Sequence, residues 1–162
     1  LLAHGFRVIA VELVESAIVQ LFSELGITPS ITKQGKFTLF EGPNIEVWVG
    51  DIFAIDNNQL VGGDAIYERA AMVALPVDMR TIYVEFITSL CQVEACPMLL
   101  VSCDYDQTVV GGPPFSIGQS DVEHYFHSTF DIDLIQTADV EGGMKGKCPA
   151  LEHVFVMRPK TR

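Results

Sequence analysis

Two carboxylates in this chain stand directly after apolar runs. Glu12 follows Val8-Ile9-Ala10-Val11, and Asp51 follows Val47-Trp48-Val49-Gly50. An uninterrupted, β-branched apolar run reads as a parallel strand covered on both faces. In open sheets of such strands, ligands sit beyond the carboxyl ends. An ionised carboxylate placed there offers acceptors only. Glu12, with Leu13 beside it, suits the vicinal hydroxyls of a ribose. Asp51 suits the exocyclic amine of an adenine, with the Ile52 N–H against a ring nitrogen and the apolar Ile52 and Phe53 flanking the base. Together they point to an adenosine-containing cofactor. Each also has a plainer use: Glu12 as a charge favoured by the next helix N-terminus, and Asp51 as the head of an Asx turn.

Further along, Tyr67-Glu68-Arg69 closes another strand. An arginine at the mouth of a cleft can hold a carboxylate bidentately, or it can pair with Glu68 or another surface acid. Asp104-Tyr105-Asp106 and Gly111-Gly112-Pro113-Pro114-Phe115 bracket a long loop over the same edge. Its two prolines stiffen the chain and Phe115 offers an aromatic wall. Glu123, His124 and His127 share a short helix without a further ligand, so no metal is assigned. Cys91, Cys96, Cys103 and Cys148 form no C-x-x-C and read as thiols of a reducing compartment. There is no G-x-S-x-G, no H-E-x-x-H and no P-loop. No residue is assigned a catalytic role.

The elements that must position these groups follow from periodicity and turn residues. Strands are predicted at Phe6–Leu13, Phe37–Phe40, Ile45–Val49, Asp64–Tyr67, Met98–Cys103, Ile132–Val140 and Leu151–Met157. Helices are predicted at Glu15–Leu25, ended by Gly26, at Pro76–Leu90 with Ile82, Phe86 and Leu90 along one face, and at Asp121–Phe126. Ala54–Leu60 reads as a short connection, and Glu141–Ala150 as a mobile loop. The alternation implies an α/β fold: a doubly wound, Rossmann-like sheet, mostly parallel, with an antiparallel C-terminal strand.

With 162 residues, 49% of them hydrophobic, the chain is expected to form a single domain over 1–162 with a substantial core. The net charge of −11, with only 10 Lys+Arg, leaves no basic stripe for phosphates, so a small molecule is expected as partner and nucleic acid is not. No apolar run is long enough to span a bilayer, and no signal peptide is visible, so a cytoplasmic location and no membrane partner are expected. Leu1-Leu2-Ala3-His4-Gly5 reads as the last turn of a helix, and the chain is expected to be incomplete at its N-terminus.

With these segments in place, the chain resembles the thiopurine S-methyltransferase family of class I S-adenosylmethionine-dependent methyltransferases. Segments 4–26, 45–55, 64–83 and 103–126 are similar to that family's segments, in its order, and the tyrosine–aspartate loop ending in Gly112-Pro113-Pro114-Phe115 is the most specific of them. The resemblance implies S-adenosylmethionine as cofactor, with Glu12 and Leu13 at the ribose, Asp51, Ile52 and Phe53 at the adenine, and Arg69 near the methionine part and the acceptor. It implies that Pro113, Pro114 and Phe115 form a lid against a small methyl acceptor. It also implies that the family's first strand, its Gly-containing loop and a closing helix would precede Leu1, and that the protein is a monomer when full length. Two departures from the family stand out: Glu68 replaces a frequent Asp, and Gly142–Lys147 lacks an arginine expected near the acceptor.

The expected reaction is methyl transfer to a thiol or another soft nucleophile, such as a reduced selenium or tellurium species. Two other readings stay open: a shortened, non-catalytic homologue that binds at most adenosine, and a nicotinamide-dependent dehydrogenase, whose ribose would also suit an acid after this strand.

Overall fold

Val8–Glu12 forms strand β1, and its register against Ile45–Val49 (β4) is parallel, running from Val8 opposite Ile45 to Glu12 opposite Val49. The computed structural model describes residues 1–60, 62–94 (backbone alone for 92–94) and 96–160. By its internal contacts the chain divides into two compact units, Leu1–Val61 and Gly62–Arg162.

The first unit is a four-stranded sheet in the order β1-β4-β3-β2, with β2 at Ser30–Gln34 and β3 at Phe37–Gly42. Helix α1 (Glu15–Glu24) follows β1 and buries Ile18 and Phe22 against Phe40, Ile45, Val47 and Val49. It ends in a Schellman arrangement: the Gly26 N–H donates to Ser23 O and the Ile27 N–H to Phe22 O. Gly26 supplies the left-handed φ of +66° that this requires. The predicted β3–β4 hairpin is present, with Asn44 at φ 59° in its turn. Strand β2 was not expected. All five of its residues are exposed and it pairs only with β3, so an edge position replaced the apolar alternation that would have signalled it. Trp48 is buried, and its indole Nε1 has no hydrogen-bond partner among the described residues. The Leu2–His4 turn is a single 3-10 turn closed by Gly5 at φ 81°.

The second unit carries β5 (Ile66–Arg69), α2 (Val77–Glu94), β6 (Met98–Tyr105), α3 (Gln119–Phe126), β7 (Phe130–Asp139) and β8 (Ala150–Pro159). Its sheet order is β5-β6-β8-β7, with β5 parallel to β6 and the remaining pairs antiparallel. Among the described residues, parallel pairing is thus confined to β1–β4 and β5–β6. Strand β5 begins and ends two residues later than predicted, so that Glu68 and Arg69 are its last residues rather than its sequel. Helix α2 turns a different face inward: Arg80, Tyr83, Val84, Ile87 and Cys91 are buried, while Ile82 is exposed at 57%. Cys91 and Cys96 are buried together, their sulfurs 3.7 Å apart, and burial pushes the Cys91 thiol well above its usual range.

The Glu141–Ala150 segment is a hydrogen-bonded turn. The Met144 N–H donates to Cys148 O at 2.8 Å, the Gly143 N–H to Val140 O at 2.8 Å, and Met144 is buried. No helix of the described residues is long and apolar enough to cross a membrane.

Candidate functional site

In the first unit the two carboxylates emerge at one edge of neighbouring parallel strands. Gly50 follows β4 directly and its N–H donates to Glu12 O at 2.8 Å, which places Glu12 and Asp51 at adjacent strand ends. Gly50 has no side chain because the Phe37 ring lies over it; a Cβ there would sit 2.4 Å from Phe37 Cδ1. Each carboxylate lends one oxygen to the backbone two residues on: the Val14 N–H donates to Glu12 Oε1 at 2.8 Å, and the Phe53 N–H to Asp51 Oδ1 at 3.0 Å. The plainer structural uses are therefore realised, and each leaves the second oxygen for a ligand. Asp51 also opens a 3-10 turn over Ile52–Ala54, closed by the Ala54 N–H on Asp51 O at 2.9 Å. Ile52, first in that turn, has an N–H that no acceptor within the turn can serve. Glu12, Ile52 and Phe53 are half-buried, and Leu13 is 70% exposed. A carboxylate oxygen and an N–H without a partner among the described residues, with exposed apolar surface at one sheet edge, fit an adenosine.

In the second unit the corresponding edge is built from the ends of β5 and β6. Arg69 projects with 59% of its side chain exposed and lies 3.7 Å from Glu152 Oε2, the surface pairing that its sequence position allowed. Glu68, its neighbour, points inward and is buried. Glu68 Oε1 accepts from the Met72 N–H at 2.7 Å and from the Tyr83 hydroxyl at 3.2 Å. Burial holds the Glu68 carboxyl above its usual range despite these donors, and burial together with the Glu68 charge raises Tyr83. Between β5 and Met72, Ala70 adopts φ 72°, a left-handed conformation that costs a non-glycine residue roughly 1–2 kcal/mol. The Glu68 carboxylate, by capturing the Met72 N–H, closes the turn that holds Ala70 there.

Pro113, Pro114 and Phe115 are held at three points. The Phe115 N–H donates to Val73 O at 2.6 Å, the Tyr105 hydroxyl to Pro114 O at 2.5 Å, and Lys145 Nζ to Pro113 O at 2.8 Å. The Arg80 guanidinium lies 5.3 Å from the Phe115 ring centre. The acidic head of this loop is occupied too: Asp104 accepts from the Ser116 hydroxyl, and Asp106 from Thr108, whose two donors draw the Asp106 carboxyl below its usual range. On α3, His127 Nδ1 lies 2.8 Å from Glu123 O and Glu123 accepts from Gln119, so these groups serve the helix itself.

The structure thus brings Glu12, Leu13, Asp51, Ile52 and Phe53 together in one unit, and Arg69, Pro113, Pro114 and Phe115 in the other. Three residues that sequence reasoning did not select shape the second group: Glu68, Tyr83 and Arg80. For Arg80 and Tyr83 the one sequence signal is helical spacing, since Arg80, Tyr83, Val84, Ile87 and Cys91 form a stripe that a search for apolar residues alone interrupts.

Comparison with known proteins adds independent findings. The family model described as Thiopurine S-methyltransferase matches residues 1–155. A thiopurine S-methyltransferase of Xanthobacter autotrophicus is 42% identical over 157 residues, covering 97% of this chain and 73% of that protein. Those of Pseudomonas fluorescens and Gluconobacter oxydans are 41% and 37% identical, covering 88% and 98% of this chain and 65% and 71% of theirs. Among solved structures, TehB from Haemophilus influenzae superposes with a TM-score of 0.57 at 12% identity, over 97% of this chain and 51% of that one. This last likeness is one of fold, and it agrees with a Rossmann-like methyltransferase architecture.

Proposed function

The chain belongs to the thiopurine S-methyltransferase family of S-adenosylmethionine-dependent methyltransferases, and from that premise we propose that it transfers the cofactor's methyl group to a thiol or another soft nucleophile, reduced selenium or tellurium included. The observation that carries this reading is the pair of half-engaged carboxylates at the ends of β1 and β4, in register at Glu12 and Val49. When bound, S-adenosylmethionine supplies a methyl group already activated on a positively charged sulfur.

The chain's own residues then have limited tasks. Glu12 accepts from ribose hydroxyls with the oxygen that Val14 leaves free. Asp51 accepts from the adenine amine, the Ile52 N–H donates to a ring nitrogen, Ile52 and Phe53 flank the base, and Leu13 lies beside the ribose. In the second unit Pro113, Pro114 and Phe115 support the acceptor's apolar body and exclude water from it. A thiol is its own nucleophile once ionised, so no side chain is assigned as general base. The rate gain comes from proximity and in-line alignment.

Calorimetric titration with S-adenosylmethionine tests this reading. Binding is expected, and E12Q and D51N are each expected to weaken it about tenfold, the worth of one charge-assisted hydrogen bond. Absence of any heat at millimolar cofactor would overturn the assignment.

A further inference from the structure

His153 lies inside the second sheet with 7% of its surface exposed. It stands opposite Ser102 of β6 and opposite Thr137 of β7, so the three share one face. That face is otherwise apolar: Leu100 lies opposite Phe155 and Met98 opposite Met157, all buried. A β-bulge between Leu134 and Gln136 advances β7 by one residue, and so sets Thr137 rather than Gln136 beside the imidazole. Polar groups on an apolar face cost free energy unless they find partners. The buried Ser102 hydroxyl has no partner among the described residues, and His153 uses Nδ1 for a 2.9 Å hydrogen bond with Thr137 Oγ1. Packing alone would be served as well by apolar residues of the same shape.

The second ring nitrogen leads towards the carboxyl end of β6. His153 Nε2 lies 3.9 Å from Asp104 Oδ2, an electrostatic contact longer than a hydrogen bond. A carboxylate only accepts, so the network assigns the ring proton to Nε2 and leaves Nδ1 to accept from the Thr137 hydroxyl. The other oxygen of Asp104 accepts from the Ser116 hydroxyl at 2.9 Å. Gly118 makes room for this carboxylate: its φ of −84° is ordinary, but a Cβ there would lie 3.0 Å from Asp104 Oδ2. Ser116 is fastened in turn, its hydroxyl accepting from the Tyr105 N–H at 3.0 Å and its own N–H donating to Gln107 Oε1 at 2.8 Å. Ser116 directly follows Phe115. A continuous line of contacts therefore runs from Thr137 through His153, Asp104 and Ser116 to the end of the Pro113–Phe115 wall.

We propose that His153 is a positioning residue for the methyl acceptor: through Asp104 and Ser116 it fixes the Pro113–Phe115 wall, and so sets how tightly the acceptor is held. It touches neither acceptor nor cofactor. The Nε2 proton attracts Oδ2 and thereby keeps Oδ1 turned to Ser116. That the wall serves a methyl acceptor rests on the methyl-transfer reading above; the line from His153 to the wall does not.

The test uses the intact chain. Methyl transfer to 4-nitrothiophenol is followed by the loss of thiolate absorbance, and the amide resonances of Phe115 and Ser116 by NMR without cofactor or acceptor. H153L fills the core but removes the donor. It is expected to raise the acceptor KM roughly fivefold, to leave kcat and S-adenosylmethionine affinity within about twofold, and to move both amides. H153Q, whose amide nitrogen reaches the place of Nε2, is expected to restore both readouts. S116A cuts the same line further on, so H153L/S116A is expected to be no worse than the poorer single variant. If H153L does not fold, T137V, at an exposed position of β7, takes its place, with a smaller change in the same direction. Effects that add in the double variant, an H153Q as impaired as H153L, or a KM and amides that stay as in the parent would overturn the proposal. Amides that move in a chain that methylates no thiol would instead retain the line to the wall and remove the methyl-transfer reading.

Discussion

Glu68 shows how one buried side chain can hold a strand end and the turn that follows it. Hydrogen bonds from the Met72 N–H and the Tyr83 hydroxyl converge on its Oε1, and the Ala71 backbone also donates to the carboxyl. Burial favours its neutral form, so the folded chain keeps a proton on Glu68 above the ordinary value of 4.5, where the unfolded chain has lost it. Under proton linkage the contribution of this group to stability is then greatest at low pH, and falls as pH rises from that value through the raised folded one. E68Q keeps an acceptor oxygen at the same place and removes the ionisation. Its melting temperature is expected to depend less on pH than that of the parent in the range just above the ordinary carboxylate value, with the larger gain at the alkaline end. E68A should cost about 1–3 kcal/mol in chemical denaturation, because the Met72 N–H and the Tyr83 hydroxyl are left buried and unpaired.

At the scale of elements, the turn between β7 and β8 is a case where backbone geometry decides. Gly143 has φ +67°, and a Cβ there would lie 2.2 Å from Cys148 O. Gly142 has φ +74° with open space around it. G143A is therefore expected to lose about 2 kcal/mol or more by strain and collision together, and G142A about 1 kcal/mol by strain alone. Denaturation midpoints of the two variants check the difference. The same turn carries Lys145, whose Nζ reaches Pro113 O, so G143A should also loosen the Pro113–Phe115 wall. Much of this architecture was readable from sequence wherever apolar pattern and chemistry coincided. Strands β1 and β4, their terminal Glu12 and Asp51, and the β3–β4 hairpin all carry continuous hydrophobic runs or a clear turn. Strand β2 was not readable, since Ser30–Gln34 is an exposed edge with no buried face. The inward face of α2 was misassigned because Arg80 and Tyr83, residue types usually met at surfaces, lie on the buried stripe, while Ile82 faces out. Glu68 was invisible for the same reason: a carboxylate in a sequence reads as solvated until its donors are seen.

Over the whole molecule, the residues assigned to the adenosine and those assigned to the acceptor fall in different compact units. Each unit has its own sheet, and each sheet ends on a strand, β1 or β5, that pairs on one side only within that sheet. Ligands that engage one unit should therefore stabilise it selectively, by mass action on its folded form. Adenosine alone is expected to slow amide exchange at Ile52 and along β1 and β4, and to leave β6 and β8 unchanged. Hydrogen-exchange mass spectrometry with and without adenosine resolves these segments.

The distribution of two amino-acid types makes that behaviour observable without any label. The single tryptophan, Trp48, belongs to Leu1–Val61, and all four cysteines belong to Gly62–Arg162. Indole emission is thus a private signal of the first unit. The sealed pair Cys91 and Cys96, unreactive while buried, is a clock for the opening of the second. Run in one sample, the fluorescence transition and the rate of thiol capture time the two halves of the chain separately, with natural chromophore and natural nucleophile as the only reporters.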